Sequence, residues 1–334
     1  METFTLGPFK DVPRIWTGLW QLSSNAWGSV AAYKVRAEML RYAQLGYTAF
    51  ADHYGSSEIL FGQFRSSLPS AIQVLGATKW CAFDHVEPTS AVVRNAVEER
   101  MARMQTTQVD LLQFHWQHYE DKNYLTALRL LLNLRDEGVI LTLGLCNFDA
   151  IRVDEICTEL GPNSIVSNQV QFSIIDTRPL HGMNHVCQKH NLKLLTYGTL
   201  CGGFLTDTWL GQPEPDVYSS NLTPSQRKYL DVIVKAWGDW QLFQSLLSIL
   251  RAIGDRHGGS SIANIATRWV LDHPFVGAVI IGARLGISDH TEDNQKIFHL
   301  HLTKEDVADI EDVLKKSNSY RMIMTIGDCG SEYR

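Results

Sequence analysis

Five consecutive stretches decide the fold: VDLLQFH (109–115), YLTALRLLLNLRDE (124–137), LTLGLCN (141–147), AIRVDEICTEL (150–160) and SIVSNQVQF (164–172). The first, third and fifth are short apolar runs and read as strands. The second and fourth are longer and amphipathic, and Gly138 stops the first of these helices. Regular alternation of strand and helix argues for a mostly parallel sheet with helical crossovers.

The alternation extends in both directions. Toward the N-terminus lie strands at Trp16–Leu22, Tyr47–Asp52 and Gln73–Trp80, with helices at Ala31–Leu45, ended by Gly46, and Ser90–Met104. Toward the C-terminus come a helix at Leu180–His190, a strand at Leu192–Gly198, helices at Leu242–His257 and Ser261–Leu271, a last strand at Val276–Gly282, and helix again from Thr291. Eight strands without a break in composition favour an α/β fold of one closed barrel, a (β/α)8 TIM barrel spanning 1–334 as a single domain, over two doubly wound halves. Phe4-Thr-Leu and Val12-Pro-Arg-Ile are expected to form a short N-terminal hairpin at the barrel's base. Gly202–Tyr229, with Pro213, Pro215 and Pro224, is too long for an ordinary connection and reads as a lid or binding loop after the seventh strand. Trp209, Tyr218, Trp237 and Trp240 are expected to pack that loop onto the barrel, the alternative being that one or two line an apolar pocket.

Composition narrows the function. A net charge of −6 argues against a nucleic-acid or anionic-membrane partner. None of the six cysteines is spaced as C-x-x-C, so no metal site and no thioredoxin-like motif is expected. Scattered thiols suit a reducing compartment. The start has no basic region followed by an apolar run, and no stretch is apolar enough to span a bilayer. The expectation is a cytoplasmic enzyme, a monomer or weak homo-oligomer, acting on a small molecule.

In such a barrel the active site lies at the carboxyl ends of the strands. Those ends carry Asp52-His53-Tyr54, Lys79-Trp80, His115-Trp116, Cys146-Asn147, Asn168-Gln169, Tyr197 and Gly282-Ala283-Arg284. A single strand-end His or Lys is more often a surface group, but seven such ends converging on one rim point to chemistry. The residue types suit reduction of a carbonyl, which needs a proton donor and a group to hold the oxygen. Tyr54 can donate, although a phenol with a pKa of about 10 is a poor acid at neutral pH. A nearby Lys79 ammonium would ease its ionisation, and His115 can hold the carbonyl oxygen. Asn147 and Gln169 suit a carboxamide, and Tyr197 can stack on a flat ring.

These residues fall in motifs that resemble the aldo-keto reductases. Gly46-Tyr-Thr-Ala-Phe and Ala51-Asp-His-Tyr-Gly-Ser-Ser-Glu58 resemble the segment around that family's catalytic Tyr; Thr78-Lys-Trp80 and Asp110-Leu-Leu-Gln-Phe-His-Trp116 resemble its Lys and His strands. Gly144-Leu-Cys-Asn-Phe148 and Ser167-Asn-Gln169 resemble its carboxamide-binding strands, and Ile280-Ile-Gly-Ala-Arg284 through Asp293-Asn294 its adenosine-phosphate loop. The motifs run in order from about residue 14 to 315. The resemblance implies NADPH-dependent reduction of an aldehyde or ketone, with no metal, in secondary metabolism. It implies catalytic roles for Tyr54, Lys79, His115 and Asp52, and cofactor contacts from Asn147, Ser167, Gln169, Tyr197, Gly282, Arg284, His290, Asp293 and Asn294. Arg284 takes the place of the basic group facing the 2′-phosphate, and His290 that of a second one.

One departure bears on mechanism. The family pattern reads F-D-x-A-D-x-Y-G, whereas this chain reads Phe50-Ala-Asp-His-Tyr-Gly55, two residues shorter and without the usual catalytic Asp. Side chains alternate along a strand, so a register fixed by Gly46–Phe50 puts Ala51 in the slot facing Lys79. Two outcomes follow. Asp52 swings in and replaces the lost group, the preferred expectation because the cofactor constellation is otherwise present. Or the slot stays empty and Tyr54, His53 and His115 do proton chemistry, as in an isomerase, cyclase or dehydratase. A regulatory subunit sensing NADPH is a third reading. An apolar substrate is expected from the Trp-bearing loop.

Overall fold

The chain opens with an antiparallel hairpin, β1 (Thr3–Leu6) and β2 (Phe9–Pro13). This computed structural model describes residues 1–23, 28–219 and 221–334, and His53 by its backbone only. Among these residues eight parallel strands close into a barrel: β3 (Ile15–Gly18), β4 (Ala49–His53), β5 (Leu75–Ala82), β6 (Val109–Trp116), β7 (Ile140–Cys146), β8 (Ser167–Gln171), β9 (Lys193–Tyr197) and β10 (Val276–Gly282). β10 pairs with both β9 and β3, which closes the ring. The outer layer holds α1 (Ala32–Gln44), α2 (Ser56–Ser66), α3 (Ser90–Met104), α4 (Asn123–Asp136), α5 (Ala150–Leu160), α6 (Met183–His190), α7 (Pro224–Asp231), α8 (Trp240–Arg256) and α9 (Ile262–Leu271). No helix of the described residues is long and apolar enough to cross a membrane.

Inside the barrel, Trp16, Ala49, Ala51, Ala77, Leu111, Leu195 and Ala278 form a packed plug with Leu6 and Val12 of the hairpin. The expected hairpin thus seals the base. Phe4 reaches Gly277, where a Cβ would lie 2.5 Å from its ring. The larger core lies between barrel and helices, with Phe50 of β4 against Phe61 and Phe64 of α2 at ring distances of 5.9 and 5.3 Å.

The sequence expectations differ from this picture in four places. The first strand is shorter than Trp16–Leu22, because Trp20–Ser23 turns into a 3-10 helix. Helix α2 was not expected; Gly62 lies in its middle and weakens the helical signal. The helix expected at Leu180–His190 begins only at Met183, since Gly182 at φ 121° breaks it from the turn holding Pro179. The segment Gly202–Tyr229 is partly ordered as α7, where Pro224 opens a helix inside a Thr223/Gln226 capping box rather than breaking one. Of the aromatics near this loop, Trp209 and Trp240 pack with Phe204 and Phe243, and Trp237 is buried and donates to Ser319 Oγ at 2.9 Å. Tyr218 is exposed. The packing expectation describes the three tryptophans.

Helix α2 follows Tyr54 directly and fixes the end of β4, so its seating matters to the site. Gly62 lets it touch the end of α3: a Cβ there would lie 2.3 Å from the backbone oxygen of Met104. Alanine raises helix propensity by about 1 kcal/mol, but overpacking against rigid backbone costs about 1–3 kcal/mol. Gly62→Ala should therefore lower stability in urea unfolding, and a gain in stability would show that α2 is free to move off α3.

Candidate active site

The mouth is organised by an irregularity in β4. Ala51 pairs with Ala77, and the next paired residue, His53, pairs with Thr78, so β4 carries one extra residue, Asp52. Asp52 has φ 60°, the left-handed region that Asp tolerates better than most residues. Ala51 does face the barrel interior as its alternation requires. The bend then returns the next side chain inward, so Asp52 neither points away nor sits on the loop. Its Oδ1 pairs with Lys79 Nζ, accepts from Gln169 Nε2 at 2.8 Å and lies 3.3 Å from the Tyr54 hydroxyl. Lys79 Nζ is 3.1 Å from the same hydroxyl. The side chain of His53 lies outside the described residues.

Burial and pairing set the charges. Burial works against the Lys79 ammonium, but Asp52 and Tyr54 beside it hold its pKa well above the ordinary value. Burial likewise opposes the Asp52 carboxylate, and Lys79 together with the bonds from Gln169 and Tyr54 keeps it below the usual range. For Tyr54 burial wins: its pKa stands well above that of a free phenol, since Asp52 counters much of the pull of Lys79. Lys79 acts in the expected direction but does not make the resting phenol acidic.

His115 Nδ1 lies 3.0 Å from the backbone oxygen of Cys146. A carbonyl only accepts, so Nδ1 carries the proton and neutral His115 presents a lone pair at Nε2. Nε2 is buried with no hydrogen-bond partner among the described residues. Burial pushes the imidazole pKa down to about 4. Phe83 and Tyr333 flank the ring at 5.5 and 6.0 Å.

Beyond His115, Asn147 at φ 59° accepts the Tyr197 hydroxyl on Oδ1 at 3.0 Å. Ser167 Oγ and Gln169 Oε1 are buried and have no partner among the described residues. Where β3 and β10 meet, a pocket is lined by Tyr42, Gly282, Arg284, Ser288, His290 and Asn294, among others. Asp293 is not in this lining; Ser261 Oγ and Asn264 Nδ2 take its carboxylate at 2.7 and 3.3 Å. The same carboxylate pairs with Lys296 at 3.2 Å.

Two features were not anticipated from sequence. Gln21 lies against Gly282, where a Cβ would meet its Nε2 at 2.1 Å. And residues 330–334 return to the rim. Glu332 pairs with Arg178 at 2.9 Å, Tyr333 lies 3.1 Å from the Tyr197 hydroxyl and accepts from Lys228 at 3.0 Å, and Arg334 stacks on Tyr119 at 3.9 Å. No local pattern marks this segment, because its partners lie far away in the chain.

The protonation of His115 can be measured. In 15N spectra it should remain the neutral Nδ1–H tautomer down to pH about 5, with its midpoint near 4. Because its folded pKa is depressed, its contribution to stability is present above the unfolded value of about 6.5 and is lost as pH falls toward about 4. A midpoint near 6.5 would contradict this environment.

Comparison with known proteins agrees with the barrel. The model of the aldo/keto reductase family matches residues 14–315. Aldo-keto reductase YhdN of Bacillus subtilis is 25% identical over 320 residues, covering 92% of each chain. The glycerol dehydrogenase AKR11B4 of Gluconobacter oxydans superposes with a TM-score of 0.76 at 22% identity, covering 94% of this chain and 95% of that one. An aldo/keto reductase from Klebsiella pneumoniae, in complex with NADP and acetate, gives 0.68 at 19% identity, covering 93% and 95%. With the family model running through the whole barrel from β3 to beyond β10, this chain belongs to the aldo/keto reductase family.

Proposed function

We propose that this chain reduces the carbonyl of a small aldehyde or ketone with NADPH, and that Tyr54 delivers the proton. Family membership makes it an NADP-dependent oxidoreductase. The observation that carries the mechanism is the cluster of Asp52, Lys79 and Tyr54 on one carboxylate oxygen.

The cofactor supplies the hydride. The residues present fit it: Gln169 Oε1 and Ser167 Oγ, both on β8 beside Asn147, are buried polar atoms without partners among the described residues, and suit a carboxamide. Arg284 and His290, lining the pocket between β3 and β10, suit a 2′-phosphate. At the reacting end, Tyr54 holds its proton until negative charge develops on the substrate oxygen. It then gives that proton up, and the phenolate left behind lies beside the Lys79 ammonium. Asp52 keeps Lys79 charged for this. Neutral His115 offers a lone pair, so it does not donate to the carbonyl; it accepts from the hydroxyl once formed. Phe83, more than half exposed, and Tyr333 border this point, which favours an apolar body next to the carbonyl. Proton chemistry without hydride transfer was motivated by an empty carboxylate slot, and the Asp52–Lys79 pair removes that motive.

Two substitutions test the assignment. Tyr54→Phe should cut turnover by roughly 10²–10⁴ while NADPH still binds; near-normal turnover would pass the proton to another group. Arg284→Ala should weaken NADPH at least about tenfold in a binding titration, the loss of one charge-assisted contact, and leave NADH almost unchanged. Equal losses for both cofactors would remove Arg284 from the 2′-phosphate.

A further inference from the structure

The reductase reading treats Asp52 and Gln169 separately, one for the acid and one for the cofactor. A direct bond joins them: Gln169 Nε2 donates to Asp52 Oδ1 at 2.8 Å. A carboxylate only accepts, and a side-chain amide has one donor end and one acceptor end. The bond therefore admits a single orientation of the Gln169 amide. Its nitrogen is tied to Asp52, and Oε1 is the end left without a partner among the described residues. Just past the end of the adjacent strand, Asn147 accepts the Tyr197 hydroxyl on its Oδ1, which leaves Nδ2 to donate. A bare acceptor on one strand and a donor just past the end of its neighbour match a primary carboxamide, which has an N–H to give and a C=O to receive.

We propose that Asp52 is a positioning residue for Gln169: by fixing which end of that amide faces the site, it makes the site select a cofactor bearing a primary carboxamide. This rests on the reductase reading. It makes one oxygen atom serve both functions, since Lys79, Tyr54 and Gln169 all converge on Asp52 Oδ1. Removing Asp52 would then alter cofactor recognition although Gln169 is intact.

The test compares dissociation constants, by fluorescence titration, for NADPH and its reduced 3-acetylpyridine analogue, in which a methyl group replaces the amide nitrogen. The unaltered protein should prefer NADPH by about tenfold, the worth of one buried hydrogen bond. Gln169→Met should abolish the preference. Asp52→Gly, which suits the left-handed backbone, should abolish most of it. Asp52→Asn should retain it, because the Asn carbonyl can accept the same bond. If Asp52→Gly does not fold, Asp52→Gly with Lys79→Met leaves no unpaired buried ammonium and carries the same expectation. A full preference in the glycine variant would overturn the proposal. So would equal loss in the glycine and asparagine variants, which would trace the effect to charge, and so would no preference in the unaltered protein. Failure of the unaltered protein to bind NADPH at all is a different result, and would remove the reductase reading itself.

Discussion

The left-handed backbone at Asp52 is the constraint on which the site depends. A closed barrel cannot shift one strand to suit one side chain, because β4 is hydrogen bonded on both sides. Ala51 therefore stays in the inward slot, and the carboxylate can arrive only by an extra residue that bends the strand. The bend costs about 1–2 kcal/mol for a residue other than glycine. Leaving a buried ammonium without its partner costs about 3–5 kcal/mol. The second figure is larger, and it explains why an Asp in a strained conformation is the stable solution here.

From that bend the electrostatics follow. Paired Lys79 stays charged in a buried setting, but the same pairing spends much of its field on Asp52. In the proposed mechanism Tyr54 is therefore a proton reservoir whose acidity is called on only when the substrate oxygen gains charge. His115 adds no competing proton, being neutral with its single N–H committed to a backbone carbonyl. The rim is completed by residues 330–334, which bring Tyr333 to His115 and Tyr197 and tie Arg334 to Tyr119 and to the backbone oxygen of Asn147.

The barrel was legible in the sequence because its signals are local. Strands such as Val109–Trp116 are short apolar runs, and helices such as Ala150–Leu160 start at a capping Asp149 and end at Gly161. Helix α2 was hidden by Gly62, whose reason is contact with Met104, and α7 by a Pro that opens a helix. Most rim residues were legible because position at a strand's end implies position at the mouth. The bulge itself was not, since strict alternation assigns Asp52 outward, although the arrival of its carboxylate beside Lys79 was the preferred expectation. The bond from Ser261 to Asp293 was not legible, since it joins residues 32 positions apart. The segment at 330–334 has no local signature at all.

The most direct measurement is NADPH oxidation with a panel of small aldehydes and ketones by Asp52→Asn, beside a variant with Asp-Met inserted between Phe50 and Ala51. If Asp52 supplies the carboxylate that keeps Lys79 charged, Asp52→Asn should lose turnover by at least about 10², the scale expected for a disabled general acid. The insertion should then bring no gain, because the slot is already served. Normal turnover in Asp52→Asn, or a rise in turnover with the insertion, would contradict the role given to Asp52.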